Sequence, residues 1–142
     1  MATKQVEQSV QPEAVQALNE RLAEVFRTND AGDVFTTDVF FDLNMPIWRF
    51  QMEGVDDFES WRRGLAPDGS GINILRTEPT VSGFVTEYEE FEEQEGRLLT
   101  SRKMFLCVVR EGRIAELVAY CTGEWDEALR ARHAIEAPMI RR

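Results

Sequence analysis

Apolar residues recur along this chain at two periods. Between Pro12 and Thr28 they fall at Val15, Leu18, Leu22, Val25 and Phe26, which share one face of an α-helix. Pro12 suits the first helical position, where no backbone donor is required. Asn29, Asp30 and Gly32 end the helix, and a short helical turn is expected through Phe35. The run Val39 to Met45 is rich in branched and aromatic residues and predicts a strand, interrupted by Pro46. Trp48 to Met52 predicts a second, short strand. Asp56 with Glu59 resembles a capping pair opening a helix, on which Phe58, Trp61 and Leu65 share a face.

Ala66 to Gly71 reads as a loop from its Pro, Asp, Gly and Ser. Four strands follow, about Ile72 to Val81, Phe84 to Glu93, Leu98 to Arg110 and Arg113 to Thr122. Pro79 and Gly83 mark the first turn, Glu95-Gly96 the second and Glu111-Gly112 the third. A last helix, about Glu124 to Ile135, carries Trp125, Ala128, Leu129 and Arg132 on one face. We expect a frayed tail over residues 1–11 and a single domain over 12–142, with no internal repeat or linker.

The last hairpin predicts a register. A two-residue Glu111-Gly112 turn pairs Arg110 with Arg113, so Arg102 faces Cys121, Met104 faces Ala119 and Leu106 faces Leu117. On the opposite face Lys103 meets Tyr120, Phe105 meets Val118 and Cys107 meets Glu116. The two cysteines then lie on opposite faces and form no disulfide within the subunit. Both faces are largely apolar: one should meet the helices and a pocket, the other a second subunit.

Composition narrows the function. A chain of 142 residues, 43% apolar and 30% charged, is long enough to bury a core. No apolar run approaches the roughly 20 residues that span a bilayer, and the N-terminal stretch lacks a secretory apolar segment; a cytoplasmic location is expected. A net charge of −10 argues against nucleic acid and against an anionic membrane surface. Cys107, Cys121 and the lone His133 give no zinc-ligand spacing. With no nucleotide-binding glycine loop and no flavin motif, no cofactor is expected.

The order helix, acidic loop, strand, helix, four-strand meander resembles the nuclear transport factor 2-like superfamily, SnoaL-like type. Phe35-Thr36-Thr37-Asp38-Val39-Phe40-Phe41 looks like its entry into the first strand, and Val109 to Glu116 like its late hairpin. The resemblance covers roughly residues 12 to 135. It implies an α+β fold: a curved antiparallel sheet forming a cone-shaped half-barrel, with N-terminal and C-terminal helices over an apolar pocket. It also implies a homodimer, and twofold dimers are the commonest oligomers. Polyketide cyclases, ketosteroid isomerases, limonene epoxide hydrolases and scytalone dehydratases share this fold, as do pocket proteins with no chemistry.

Enzymes of this superfamily place carboxylates inside the cone, where an apolar setting raises their pKa and lets them shuttle protons. Their acidic positions on the last two strands align with Met104 and Ala119, and the arginine of hydrolase-like members with Arg102, without its acidic neighbours. The remaining acid–base candidate is Asp42, with Asn44 on the same side of the first strand. If Asp42 points inward, Asn44 and Arg102 would orient a carbonyl and stabilise an enolate. The alternative puts Asp42 and Asn44 in solvent, with Phe41 and Leu43 in the core. Arg102 is equally a ligand contact or the partner of Glu87 or Glu89.

Trp48, Trp61 and Tyr88 are candidates for the wall of a hydrophobic pocket, with Met104, Ala119 and Cys121 beside them; Trp48, near the expected mouth, is the aromatic of choice. Tyr120 belongs to the opposite, interface face. Cys121 is a small apolar filler, and His133 a surface residue favoured by a helix C-terminus. The six glutamates of Glu87 to Glu95 read as a mostly solvated edge. Two functions stay open: a cofactor-free cyclase, isomerase or dehydratase for a polyketide-like or terpenoid-like molecule, or a non-catalytic ligand-binding or dimerising domain. In the first, shape alone could also drive cyclisation of a flexible polyene.

Overall fold

The computed structural model describes residues 11–141. Helix α1 (Pro12–Thr28) buries Val15, Leu18, Leu22, Val25 and Phe26, the predicted stripe, and closes on Asn29 in the left-handed conformation. The expected helical turn after it is a plain turn leading directly into β1 (Phe35–Met45), which starts four residues earlier than its apolar run suggested. Strand β2 (Trp48–Glu53) returns antiparallel. Helix α2 (Val55–Leu65) has Gly54, not an acidic side chain, at its N-cap, so Asp56 and Asp57 sit in its first turn. Glu59 instead accepts from the Ala31 backbone N–H at 2.7 Å, tying α2 to the end of the α1 segment.

Strands β3 (Gly71–Pro79), β4 (Gly83–Gln94), β5 (Arg97–Arg110) and β6 (Arg113–Cys121) form the meander. Glu95-Gly96 and Glu111-Gly112 both have φ near +50° then +76°, the geometry that matches the twist of two-residue hairpins. The six strands make one curved, unclosed sheet in the order β2-β1-β6-β5-β4-β3. It is mixed rather than wholly antiparallel: β1 and β6 run parallel. Helix α3 (Glu127–Glu136) begins later than expected, capped by Asp126, whose Oδ1 accepts from Leu129 N–H at 2.8 Å. Trp125 precedes the helix and bridges to Thr100 of β5. None of α3's residues is buried. The expected tail falls on residues that, apart from Gln11, lie outside the described ones. Among the described residues no helix is long and apolar enough to cross a membrane.

The β5–β6 register departs from expectation by one residue. Arg110 pairs with Arg113 and Val109 with Ile114, but Val108 then pairs with Glu116, leaving Ala115 as a bulge. One inserted residue exchanges the two faces of a strand. Phe105 therefore faces Ala119, Cys107 faces Leu117 and Lys103 faces Cys121 on the inner side, against α1 and α2. Met104 pairs with Tyr120 and Leu106 with Val118 on the outer side, where all but Val118 are exposed. Cys107 and Cys121 thus share a face instead of opposing one another. Both remain free thiols, because their cross-strand partners lie four residues apart on each strand.

The core is aromatic. Phe58 of α2 stacks on Phe41 of β1 at 4.5 Å, and Phe26 of α1 stacks on Phe105 of β5 at 5.4 Å. These rings hold both helices against the inner face, contributing about 0.5–1.5 kcal/mol per pair beyond their burial.

Candidate functional site

A cavity of about 500 Å³ opens between the inner sheet face and α2. Leu43, Phe50, Phe58, Trp61 and Phe105 give it apolar walls. Phe50 meets Trp61 edge-on, with ring centroids 5.5 Å apart. Arg62, Glu92 and Lys103 also line it, with Glu124 in the segment that follows β6. The result is an apolar chamber with an ionic inner end, the composition of a small-molecule site.

That inner end is built by alternation in β4. Phe84, Thr86, Tyr88, Glu90 and Glu92 all point inward, so the apolar row at the start of the strand becomes acidic at its end. Helix α2 supplies the counter-charge: Arg62 lies one turn beyond Phe58, on the same buried face. Its Nη1 donates to Glu90 Oε2 at 3.1 Å, Nη2 donates to Phe26 O and Ser70 Oγ at 3.0 Å each, and Nε to Asn29 Oδ1 at 3.3 Å. The guanidinium also lies over the Phe26 ring, 4.9 Å from its centroid. Lys103 of β5 donates to Glu90 Oε1 and, at 3.0 Å, to Ser101 Oγ.

Two carboxyls in this end behave oppositely. Burial works to raise the Glu90 pKa, but the charges of Lys103 and Arg62 and the hydrogen bonds of Lys103 and Ser70 outweigh it, and Glu90 is held below the ordinary range. Glu92 has neither the Lys103 nor the Ser70 partner, and the Arg62 charge lowers its pKa only as the smallest of the effects on it. Burial pushes it up, the Gln94 hydrogen bond opposes this, and the negative charges of Glu90 and Glu124 add to the rise. A carboxyl in an apolar cavity with an elevated pKa is a candidate proton carrier.

The residues singled out from sequence divide. Trp61, Ala119 and Cys121 line the cavity. Asp42, Asn44 and Arg102 do not: all three lie on the outer face. Phe41 and Leu43 fill the core, so alternation turns Asp42 and Asn44 away from it. Asp42 is gripped by Arg49 through two hydrogen bonds of 2.8 and 2.7 Å, which hold its carboxyl below the ordinary range. Asn44 donates to Ala119 O at 3.2 Å, and Arg102 to Glu87 at 2.8 Å. They do not converge on one point.

Met104 is on the outer face for the same reason as Arg102: β5 alternates without a break, and Phe105 and Cys107 take the inner positions. Tyr88 is wholly buried behind the cavity; its hydroxyl donates to Asn19 Oδ1 at 2.6 Å, and burial raises its pKa. Trp48 is 71% exposed and does not line the cavity; Phe50, two residues on, takes the wall position expected of it. His133 stands against Trp125, with ring centroids 4.8 Å apart. Glu90, Glu92, Arg62 and Lys103 escaped the sequence reading. The signal for them was present in the inward alternation from Phe84 and in the four-residue step from Phe58.

No family model matches the sequence, and no curated relative matches it. Solved structures do resemble the fold. An NTF2-like protein from Anabaena variabilis superposes with a TM-score of 0.65 at 17% identity, covering 78% of this chain and 88% of its own. The chain adopts the NTF2-like fold. A SnoaL-like protein of the polyketide cyclase type from Jannaschia superposes with a TM-score of 0.62 at 14% identity, over 93% of this chain and 99% of its own. A protein of ketosteroid isomerase-like fold from Catenulispora acidiphila, in complex with trimethylamine, gives 0.61 at 16% identity, over 78% and 86%. An NTF2-like sheet wrapped on two helices accounts for the cavity; identities this low establish the fold alone.

Proposed function

We propose that this protein is a cofactor-independent enzyme of the cyclase, isomerase or dehydratase kind, acting on a hydrophobic polyketide-like or terpenoid-like carbonyl compound. The observation that carries this is Glu92, an elevated-pKa carboxyl in the wall of an apolar cavity that also holds the Lys103 ammonium. In this reading Glu92 removes and returns a proton beside the carbonyl. Lys103 stabilises the oxyanion that develops. Trp61, Phe50, Ala119 and Cys121 contact the apolar body of the substrate.

The test is solvent exchange. 4-Phenylcyclohexanone, an apolar ketone with exchangeable hydrogens beside its carbonyl, is incubated in deuterium oxide with the protein. The wild type should accelerate deuterium uptake over buffer, and Glu92→Gln should lose at least about 10²-fold of that acceleration. Equal uptake with wild type and Glu92→Gln would refute the assignment.

A second reading, a ligand-binding domain without turnover, is favoured by one specific observation: Lys103 and Arg62 both spend hydrogen bonds on Glu90, as structural charges do. Binding without exchange would select it. In either reading we infer that two copies pair through the outer sheet face, where Met104, Leu106 and Tyr120 form an exposed apolar row.

A further inference from the structure

With Glu92 protonated, the buried charges at the inner end of the cavity do not cancel: Arg62 and Lys103 bring two positive charges against Glu90, while Glu124, also on the lining, is exposed to solvent. Arg62 uses four of its five N–H donors within the protein, and its side chain is only 1% exposed. Lys103 donates to Glu90 and Ser101, and one of its three ammonium donors is left over. Its side chain is only 11% exposed and lines the cavity, so the remaining donor is open to an acceptor on a bound guest. Glu92 lines the same space, with Gln94 donating to Oε2 at 2.9 Å.

We propose that the cavity takes an amphipathic guest with one anionic oxygen head, a carboxylate or an enolate, seated between the Lys103 ammonium and the Glu92 carboxyl. The apolar body of the guest lies along Leu43, Phe50 and Trp61. The inference rests on the cavity assigned under the proposed function but does not require turnover. A guest carboxylate supplies the acceptor that the third Lys103 donor lacks, and it brings the buried cluster to charge balance. A neutral head leaves the excess positive charge uncompensated, and a cationic head adds to it.

Glu92 sets the pH window. It faces Gln94 and Glu90 on its own strand, Arg62 on α2 and Glu124 beyond β6. While protonated it donates a hydrogen bond to the guest. Once ionised it repels the guest. Because burial raises its pKa, the donating form persists above the ordinary glutamate range. Binding of an anionic head is therefore strongest on the acid side of the Glu92 titration and weakens as pH rises through it.

Three probes with the same ten-carbon tail separate the head groups: decanoate, 1-decanol and decyltrimethylammonium, each titrated by calorimetry across a pH series, compared on the acid side of the Glu92 titration and below its critical micelle concentration. Decanoate should bind at least about tenfold more tightly than the alcohol, and the ammonium should bind weakest. Lys103→Met should reduce decanoate to the level of the alcohol. Lys103→Arg, which keeps the charge and the pair with Glu90, should preserve the preference even if the methionine variant is poorly folded. Glu92→Gln should keep decanoate binding and remove its decline at high pH. Alcohol or ammonium binding as tight as decanoate, no binding of any probe, or a preference untouched in folded Lys103→Met would each overturn the proposal. A decanoate preference without deuterium exchange leaves this inference standing and removes the enzymatic one. Exchange without a head-group preference does the reverse.

Discussion

Arg62 Nη1 lies 3.1 Å from Glu90 Oε2, and each side chain is only 1% exposed, so α2 and β4 are joined by an ion pair closed to water. Such pairs do not out-stabilise an apolar replacement of equal volume, because desolvating both charges offsets their attraction. Breaking one is another matter. Arg62→Met leaves Glu90 with Lys103 alone and strands the hydrogen-bond acceptors of Asn29, Phe26 and Ser70. A loss of about 3–5 kcal/mol is expected, read from urea midpoints. A double variant, Arg62→Met with Glu90→Leu, should recover part of it.

Acid should act on the same pair. Glu90 is held below its ordinary value, so the folded state binds fewer protons there than the unfolded chain. Its stabilisation is fully present above the unfolded-state pKa, near 4.5, and is lost as pH falls through the lower folded-state value. Glu92 runs the other way: raised by burial, it stabilises most below the same 4.5 and loses that contribution as pH rises through its higher folded-state value. Urea midpoints against pH should show Glu92→Gln flattening the loss on the neutral side. Glu90→Gln should flatten the acid limb.

The outer face carries a prediction about assembly. Met104 pairs with Tyr120 and Leu106 with Val118, making an apolar row across β5 and β6. Sedimentation should give twice the monomer mass for the wild type. Leu106→Glu should give a folded monomer, because an unpaired charge at the centre of an apolar interface is costly.

Most of the architecture was legible because helix and strand periods were strong where one face alone is buried. The α1 stripe and both Glu-Gly turns are examples: Val15 to Phe26 fall on the expected face, and Glu111-Gly112 pairs Arg110 with Arg113. The site was less legible for two local reasons. The bulge at Ala115 leaves no mark in composition, yet it shifts β6 by one residue against β5, so Ala119 and Cys121 stand beside Phe105 and Lys103 instead of Met104 and Arg102. And Glu90 and Glu92 sit among six glutamates, so a solvated edge was the natural reading; β4 is instead an interior strand, flanked by β3 and β5. Charge density masked an alternation that Phe84, Thr86 and Tyr88 had already begun.

One glycine tests the sheet geometry independently. A Cβ on Gly83 would collide with the Cys107 carbonyl oxygen, backbone that cannot swing aside. Gly83→Ala should cost about 1–3 kcal/mol or more in thermal or urea unfolding. Gly96→Ala meets nothing within 4 Å and should be milder, its penalty set by the φ of +76° alone.

The central claim is that Glu92 is the carboxyl of this cavity that carries a proton beyond the ordinary glutamate range. Carbon-13 NMR of the side-chain carboxyl, assigned by its loss in Glu92→Gln, measures this directly. A single titration with a midpoint clearly above 4.5 is expected, moving when decanoate occupies the cavity. A midpoint at or below 4.5, unmoved by decanoate, would contradict it.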